Sequence, residues 1–352
     1  MTTPHVPPPE SEILGKPGTQ RITGKLLATQ GYVVGIEISG SSTRQSVALA
    51  DLDGNIIHHV RRSLDAVPQT QKVLELLDEM LAEVMHPERL QGGRVLRVGV
   101  AIGGLVDATR GIVRTLHHAR GWDNFPLQDY FAEKLETPCI IDNNANAAAL
   151  AEVQRGAGVG ERIVLYVALG RGIGGALLVN GRVYHGVTCT AGEIGHVLVN
   201  PGGPVCSCGG YGHLEALASS QAITGAMAEI AREYPETEAA IRRVTGNRAE
   251  HLIAQQVFQL AAEGDGIAQR IIEQLHLYLG VALANIVHLV NPSMIILGGP
   301  VAQAGEALVA PLQARIQQLC LPPAYQSLRI VQGSLGTRAN LIGAVTLALQ
   351  DL

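Results

Sequence analysis

Aromatic residues are nearly missing from this chain: Phe, Tyr and Trp make up 3% of 352 residues, with one tryptophan and three phenylalanines. A chain this long can bury a sizeable core, and that core must be built from Ala, Val, Leu and Ile. Charge is scarce too, at 16%, against 47% hydrophobic residues, which excludes a disordered chain or a coiled coil. The formal net charge is −5 and the isoelectric point about 6.2. There is no basic field to hold nucleic acid, and no direct nucleic-acid partner is expected. Five cysteines, Cys139, Cys189, Cys206, Cys208 and Cys320, are too few for a disulfide scaffold of this length. No charged-then-apolar leader follows Met1, so nothing suggests secretion. The most apolar stretch, Tyr278 to Leu297, is interrupted by Asn285, His288, Asn291 and Pro292. A spanning helix needs about 20 cleanly apolar residues, so this stretch reads as a buried helix followed by a strand. A soluble, cytoplasmic protein with no membrane partner is expected.

Glycine is the residue in excess, at 41 positions, well above the roughly 7% of average usage. Small aliphatic residues with many glycines suit a parallel α/β protein with phosphate-type loops, and the length suggests two domains. Residues 1–30, rich in proline at Pro4, Pro7, Pro8 and Pro9, carry no sustained period and read as an extended tail or linker. From Tyr32 the chain turns to short apolar strands. Val33–Ile36 leads into a Ser/Gly loop, Ser46–Leu52 forms a second strand, and Asp53-Gly54 reads as a hairpin turn. The spacing of Val73, Leu76, Leu77 and Leu81 predicts a helix, and Val95–Ile102 a buried strand. Cys139–Asp142 reads as a strand running through Asn143-Asn144 into an alanine-rich helix from Ala147 to about Glu152. Ile163–Leu169 and Ala176–Val179 form a strand pair around a glycine loop. Met294–Gly299 is a strand ending in two glycines, and a last helix spans about Ala339 to Leu349. Both halves repeat the order strand, glycine loop, strand, helix, as a duplicated α/β unit would.

His196, Cys206, Cys208 and His213 are spaced H-x9-C-x-C-x4-H, four soft donors within eighteen residues. Two thiolates and two imidazoles can close a tetrahedral shell around Zn2+, and four protein ligands leave no position open for water. The zinc is therefore expected to be structural. Glu193 and Glu215 flank the cluster, where paired carboxylates can accept hydrogen bonds from the vicinal hydroxyls of a sugar.

The run Gly192-Glu193-Ile194-Gly195-His196, followed by Cys206-Ser207-Cys208-Gly209-Gly210-Tyr211-Gly212-His213-Leu214-Glu215, resembles the signature of the ROK family of repressors, open reading frames and sugar kinases. The likeness extends from about Tyr32 to the C-terminus. It implies an actin-like, hexokinase-type fold of two α/β domains around a cleft. The first domain would comprise residues 31–144 plus about 336–352, and the second residues 145–335. It further implies sugar contacts from Gly104, Asn143, Asn144, Glu193, His196 and Glu215, and zinc held by His196, Cys206, Cys208 and His213. His213 stands where the family pattern has a third cysteine. A homodimer or homotetramer is expected by the same likeness.

The departures from that pattern fall on the nucleotide side. Where the family's kinases have a catalytic aspartate after the sugar-binding asparagine, this chain has Asn144. An amide cannot act as a general base near neutral pH, a role worth roughly 10²–10⁴-fold. Asp142, two residues back, would have to redirect its side chain to replace it. The first phosphate loop reads Glu37-Ile38-Ser39-Gly40-Ser41 in place of Asp-x-Gly-Gly-Thr, and Ser39 adds a side chain where backbone must approach phosphate. In the second, Gly170-Arg171-Gly172-Ile173-Gly174, Arg171 replaces a threonine. The third glycine pair, Gly298-Gly299, is intact. The expected function is a ROK sugar-binding protein, weak or inactive as a kinase, acting as a carbohydrate sensor or regulator without the N-terminal winged helix-turn-helix. Its ligand would be a hexose or N-acetylhexosamine. The alternative is an active ATP-dependent hexose or N-acetylhexosamine kinase using ATP and Mg2+, in which Glu37 still offers the metal a carboxylate.

Overall fold

The computed structural model describes residues 31–352 apart from 40–43, 65–68 and 117–118. The expected tail at 1–30 lies outside the described residues, as do Gly40 and Ser41 of the first loop. In the first half, strands β1 (Gly31–Ile38), β2 (Arg44–Asp51), β3 (Ile56–Ser63), β4 (Arg94–Ile102) and β7 (Cys139–Asn143) form one sheet in the order β3-β2-β1-β4-β7. A small hairpin, β5 (Leu105–Asp107) with β6 (Ile112–Thr115), sits between them in sequence. In the second half, β8 (Ile163–Leu169), β9 (Ile173–Val179), β10 (Arg182–Val183), β11 (Met294–Gly298) and β12 (Arg329–Gln332) form the order β10-β9-β8-β11-β12. The pairings match strand for strand. β1 is antiparallel to β2 and parallel to β4, and β8 is antiparallel to β9 and parallel to β11. The duplicated strand–loop–strand order in the sequence is thus a duplicated sheet topology.

Burial follows position in the sheet. β1 is central and reads GYVVGIEI, buried along almost its whole length, the continuous apolar run of a strand covered on both faces. β3 is an edge strand, IIHHVRRS, and alternates between half-buried and exposed. Helices α1 (Thr70–Val84) and α2 (Leu127–Leu135) pack with the first sheet. In the second half the helices include α3 (Asn144–Arg155), α4 (Leu214–Ala218), α5 (Ser220–Ala231), α6 (Pro235–Thr245), α7 (Ala254–Ala262), α8 (Gly266–Val290) and α9 (Glu306–Leu319). The last helix is α10 (Ala339–Leu349). α8 begins where the Asp265 side chain accepts from the backbone N–H groups of Ile267 and Ala268, and it ends at Asn291 with φ 49° just before Pro292. The long apolar stretch therefore divides into the end of α8 and strand β11. Among the described residues α8 is the one helix long and apolar enough to cross a membrane, and more than half of that stretch is buried inside the protein.

The glycine excess has a second origin besides loops. α3 and α10 cross at close range, and α10 also lies on β1 and β4. α3 carries Ala145, Ala147, Ala148, Ala149 and Ala151, all buried, and Gly343 of α10 lies against Ala147. A Cβ at Gly343 would fall 2.3 Å from the Ala147 carbonyl oxygen. Backbones this close leave no volume for aromatic side chains, which fits their scarcity. α3 also starts earlier than its sequence suggests, at Asn144 and not Ala147. The Asn143 side chain accepts the Ala145 N–H, so the asparagine pair is cap and first turn, in place of a connecting loop. Strand β9 likewise starts at Ile173, which shortens the second glycine loop to Gly170–Gly172.

A single buried side chain fastens α3 to the approach to α10. Glu152, 1% exposed, accepts hydrogen bonds from the backbone N–H of Ala157 at 2.9 Å, Ser334 at 3.2 Å and Leu335 at 2.8 Å, and from the Ser334 hydroxyl at 3.1 Å. Removing it would take a charged acceptor from these four part-buried hydrogen bonds, at a cost of roughly 1–3 kcal/mol for each donor that water does not reach. Glu152→Ala should therefore lower stability by about 3 kcal/mol, read as a lower urea-unfolding midpoint. An unchanged midpoint would show that the clamp contributes nothing.

Candidate functional site

The end of β7 and the start of α3 place two asparagines at the floor of the cleft between the sheets. Asn143 caps α3 through its Oδ1, which accepts from Ala145 N at 2.7 Å, and its Nδ2 donates to the Gly104 carbonyl at 2.5 Å. Asn144, the next residue, has a buried Oδ1 with no hydrogen-bond partner. Asn144 as a residue lines both cavities of the cleft.

The first cavity is about 180 Å³ and is lined by Asn143, Asn144, Gly104, Glu193, His196 and Glu215, together with Gly103, Leu105, Leu116, Gly172, Ile173, Gly174 and Ser207. All six expected sugar contacts are brought together here. Glu215, in the first turn of α4, is held by two donors: Ile173 N at 2.9 Å from Oε2 and the Ser207 hydroxyl at 2.9 Å from Oε1. Gly172 makes room for it, since a Cβ there would lie 2.3 Å from Glu215 Oε2. Burial pushes the Glu193 carboxyl up to about 7, and the nearby Glu215 charge acts in the same direction. Ser207, between the two cysteines of the motif, was not singled out from the sequence, although its place in Cys-Ser-Cys was the available signal.

His196, Cys206, Cys208 and His213 converge beside this cavity, with one ligand atom from each lying within 4.8 Å of all the others. His196 Nδ1 is 3.7 Å from Cys206 Sγ, and His213 Nδ1 is 3.2 Å from Cys208 Sγ. Zn–S and Zn–N bonds of about 2.3 and 2.0 Å imply donor–donor separations of roughly 3.5 Å in a tetrahedron, so the residues fit Zn2+. Bound there, the metal would brace the loop that carries Glu193 and Glu215. His196 belongs to both sites, with Nδ1 facing the sulfur and Nε2 4.0 Å from Glu193 Oε2.

The second cavity, about 400 Å³, shares Gly103, Gly104, Asn143, Asn144, Gly172 and Gly174 with the first. Glu37, Ser39, Gly170, Arg171 and Gly299 line it as well. Gly298 does not; it lies at the end of β11 against Tyr166, whose hydroxyl would be 2.0 Å from an added Cβ. Glu37 Oε1 accepts from Asn340 Nδ2 at 3.1 Å. In the first loop the Ser39 N–H donates to Oε1 of buried Gln45 at 3.0 Å. Arg171 donates through Nε to Gln221 Oε1 at 3.2 Å. Arg44 and Arg61 also line this cavity. Both were missed in the sequence because neither lies in a glycine loop; the β2–β3 register, which pairs Ser46 with Arg61, brings them to the cleft.

Asp142 is not a substitute base. It is 3% exposed and lines neither cavity. Its Oδ1 accepts from Asn143 N at 2.7 Å and Asn146 Nδ2 at 2.8 Å, and its Oδ2 lies 2.7 Å from His185 Nε2. The hydrogen bond to Asp142 holds the His185 pKa above its ordinary value, with burial of the imidazole partly opposing. His185 lies far from Asp142 in sequence, and no motif marked it.

The ROK family model matches residues 33–351. The glucokinase of Halalkalibacterium halodurans is 32% identical over 91% of this chain and 96% of its own length. The xylose repressor of Caldicellulosiruptor bescii is 25% identical over 92% of this chain and 79% of its own length. A ROK family glucokinase from Streptomyces griseus, solved in complex with glucose and AMPPNP, superposes with a TM-score of 0.78 at 27% identity, covering 91% of this chain and 100% of that one. The expected two-domain α/β fold of the hexokinase type is thereby shown; its two five-stranded sheets are mixed, not purely parallel as the composition suggested.

Metal analysis of the purified protein should find about one zinc per chain, and Cys208→Ser should lower both the zinc content and the melting temperature. Fewer than about half a zinc per native chain would contradict the four-ligand site.

Proposed function

The chain belongs to the ROK family, and from that premise we propose that it is an ATP-dependent hexose kinase, with glucose or a close relative as substrate. The observation that carries this reading is the meeting of the two cavities at Asn143 and Asn144. One is lined by carboxylates and braced by a metal loop; the other is lined by glycine loops and arginines. A hydroxyl held in the first would face a phosphoryl group held in the second. The relatives support the same order of preference. The glucokinase is more similar than the xylose repressor and is matched over nearly its whole length. This reverses the ranking drawn from the sequence, which placed an inactive sensor first on the strength of Asn144.

In this mechanism Glu193, Glu215 and Asn143 orient the sugar hydroxyls, and His196 ties that orientation to the braced loop. A single carboxylate completed by substrate phosphate oxygens is a donor set that suits Mg2+, and Glu37 would supply it. The side-chain amide of Asn144, which lines both cavities, hydrogen-bonds the attacking hydroxyl and aims its oxygen at the γ-phosphorus. The new O–P bond forms as the bond to the β–γ bridging oxygen breaks, and ADP leaves. The amide cannot take the proton, which passes to a phosphate oxygen or to solvent. Phosphoryl transfer relies on positioning and electrostatics more than on covalent help from the protein, so loss of the base slows the reaction without abolishing it.

A sugar sensor is the second reading, favoured by two observations. The base position is an amide, and the Ser39 N–H, where a phosphate loop would offer a donor, is taken by Gln45. Coupled ADP-release assays over a hexose panel separate the two. The kinase reading expects hexose-dependent turnover below the about 1–100 s⁻¹ usual for kinases, and a rise of about 10²-fold or more in Asn144→Asp. Hexose binding with no ADP release from either protein would overturn it in favour of the sensor.

A further inference from the structure

The chain passes from the first sheet towards the second at Asn143-Asn144, and it returns after β12 to α10, which lies on β1 and β4. A buried carboxylate holds each crossing, Asp142 at the first and Glu152 at the second. Their partners differ. Glu152 is satisfied by main-chain N–H groups and a hydroxyl. Asp142 Oδ1 accepts from two uncharged donors, Asn143 N and Asn146 Nδ2, while Oδ2 faces His185 Nε2 at 2.7 Å. His185 is therefore the partner that can compensate the charge of a carboxylate taken out of water. It comes from the other half of the molecule, two residues beyond β10 at the edge of the second sheet.

The segment that carries His185 runs on to the sugar cavity. It leaves β10 with Tyr184 N donating to the Leu177 carbonyl at 2.8 Å, and it folds back where Ala191 N donates to the His185 carbonyl at 3.1 Å. Between these points Cys189, with φ 58°, brings its Sγ to 3.9 Å from Asp107 Oδ1 of β5. The segment thus meets the first half twice, at Asp142 and at Asp107. Glu193 follows two residues after Ala191. One tether joins both walls of the cavity, Asn143 from the first sheet and Glu193 from the second half.

We propose that His185 is a positioning residue for the sugar cavity: by holding Asp142 across the two sheets, it fixes the main chain at Asn143 and the span from there to Glu193. The inference rests on the hexose reading of that cavity and adds to it the part that sets its width. His185 lines neither cavity, so it acts through these contacts alone. Without the imidazole, Asp142 is a buried carboxylate with no charged partner among the described residues. A buried charge left uncompensated is costly, and the side chain turns towards water. That turn takes Oδ1 away from the Asn143 N–H. The first turn of α3 then loosens, and with it the Asn143 side chain that caps the helix.

Three variants of the full chain test the reach of the donor at this half-buried position. His185→Gln keeps a donor at about the reach of Nε2, His185→Asn falls short of Asp142, and His185→Leu has none. Thermal melting checks that each folds. Hydrogen exchange read by mass spectrometry should quicken in His185→Leu and His185→Asn over peptides spanning 142–147. It should keep the native rate in β8 and β9, and His185→Gln should restore it at 142–147. Calorimetric titration with glucose, mannose and N-acetylglucosamine gives the consequence for binding. The hexose that binds the native chain should bind about tenfold more weakly to His185→Leu and His185→Asn, the worth of one hydrogen bond to a charged group. In His185→Gln its affinity should stay within about threefold of native. Exchange that rises evenly over both halves would make His185 a stabiliser of the fold only and overturn the proposal. So would unchanged exchange at 142–147 in His185→Leu, or one hexose affinity shared by all four proteins. If the native chain binds none of the three hexoses, the hexose reading falls, while the exchange rates still decide whether His185 holds the turn.

Discussion

The close crossing of α3 and α10 fixes where everything else in this molecule can be. Two helices that touch through alanine and glycine, with the Gly343 position 2.3 Å from the Ala147 carbonyl oxygen, cannot slide or rotate without collision. Glu152 adds a buried hydrogen-bonded clamp from α3 to the segment leading into α10. Together they hold the first turn of α3 at the floor of the cleft, and that turn carries Asn143 and Asn144. The two cavities are built outward from these two residues, each by segments of both sheets.

Chemistry in the cleft depends on a division of labour between its ends. On one side rigidity comes from a Cys2His2 cluster suited to zinc, which sets the loop bearing Glu193, while Ile173 and Ser207 hold Glu215 in place. On the other side the Ser39 N–H is satisfied by Gln45, and Arg171 brings a positive charge to the glycine loop, held on Gln221. Asn144 sits between them as an acceptor without basicity. On the proposed function, an arrangement of this kind positions a sugar hydroxyl and accelerates its reaction little.

Much of this was legible in the sequence where the signal was local. The four metal ligands lie within eighteen residues, so spacing alone exposed them. The strand and glycine-loop order of the two halves foretold the matching sheets. What escaped was long-range. The pairing of Asp142 with His185, Glu152 with Ser334 and Leu335, and Ser39 with Gln45 each depends on how segments fold back. No pattern at those positions announces a partner. Arg44 and Arg61 lie in no motif, and the register of β2 and β3 brings them to the cleft. The glycine excess pointed to phosphate loops because loops are the familiar use of glycine. Close helix packing, its second use here, becomes visible only once α10 is seen to return across α3.

The central claim is that a sugar hydroxyl and a phosphoryl group meet at Asn144. A crystal structure of the protein with bound glucose tests it most directly, through the position of the C6 hydroxyl. The account predicts that this oxygen lies within hydrogen-bonding distance of Asn144 Oδ1, about 2.6–3.0 Å, with the ring hydroxyls on Glu193 and Glu215. A glucose seated with C6 turned away from Asn144, or bound outside the cavity that Glu193 and Glu215 line, would contradict it.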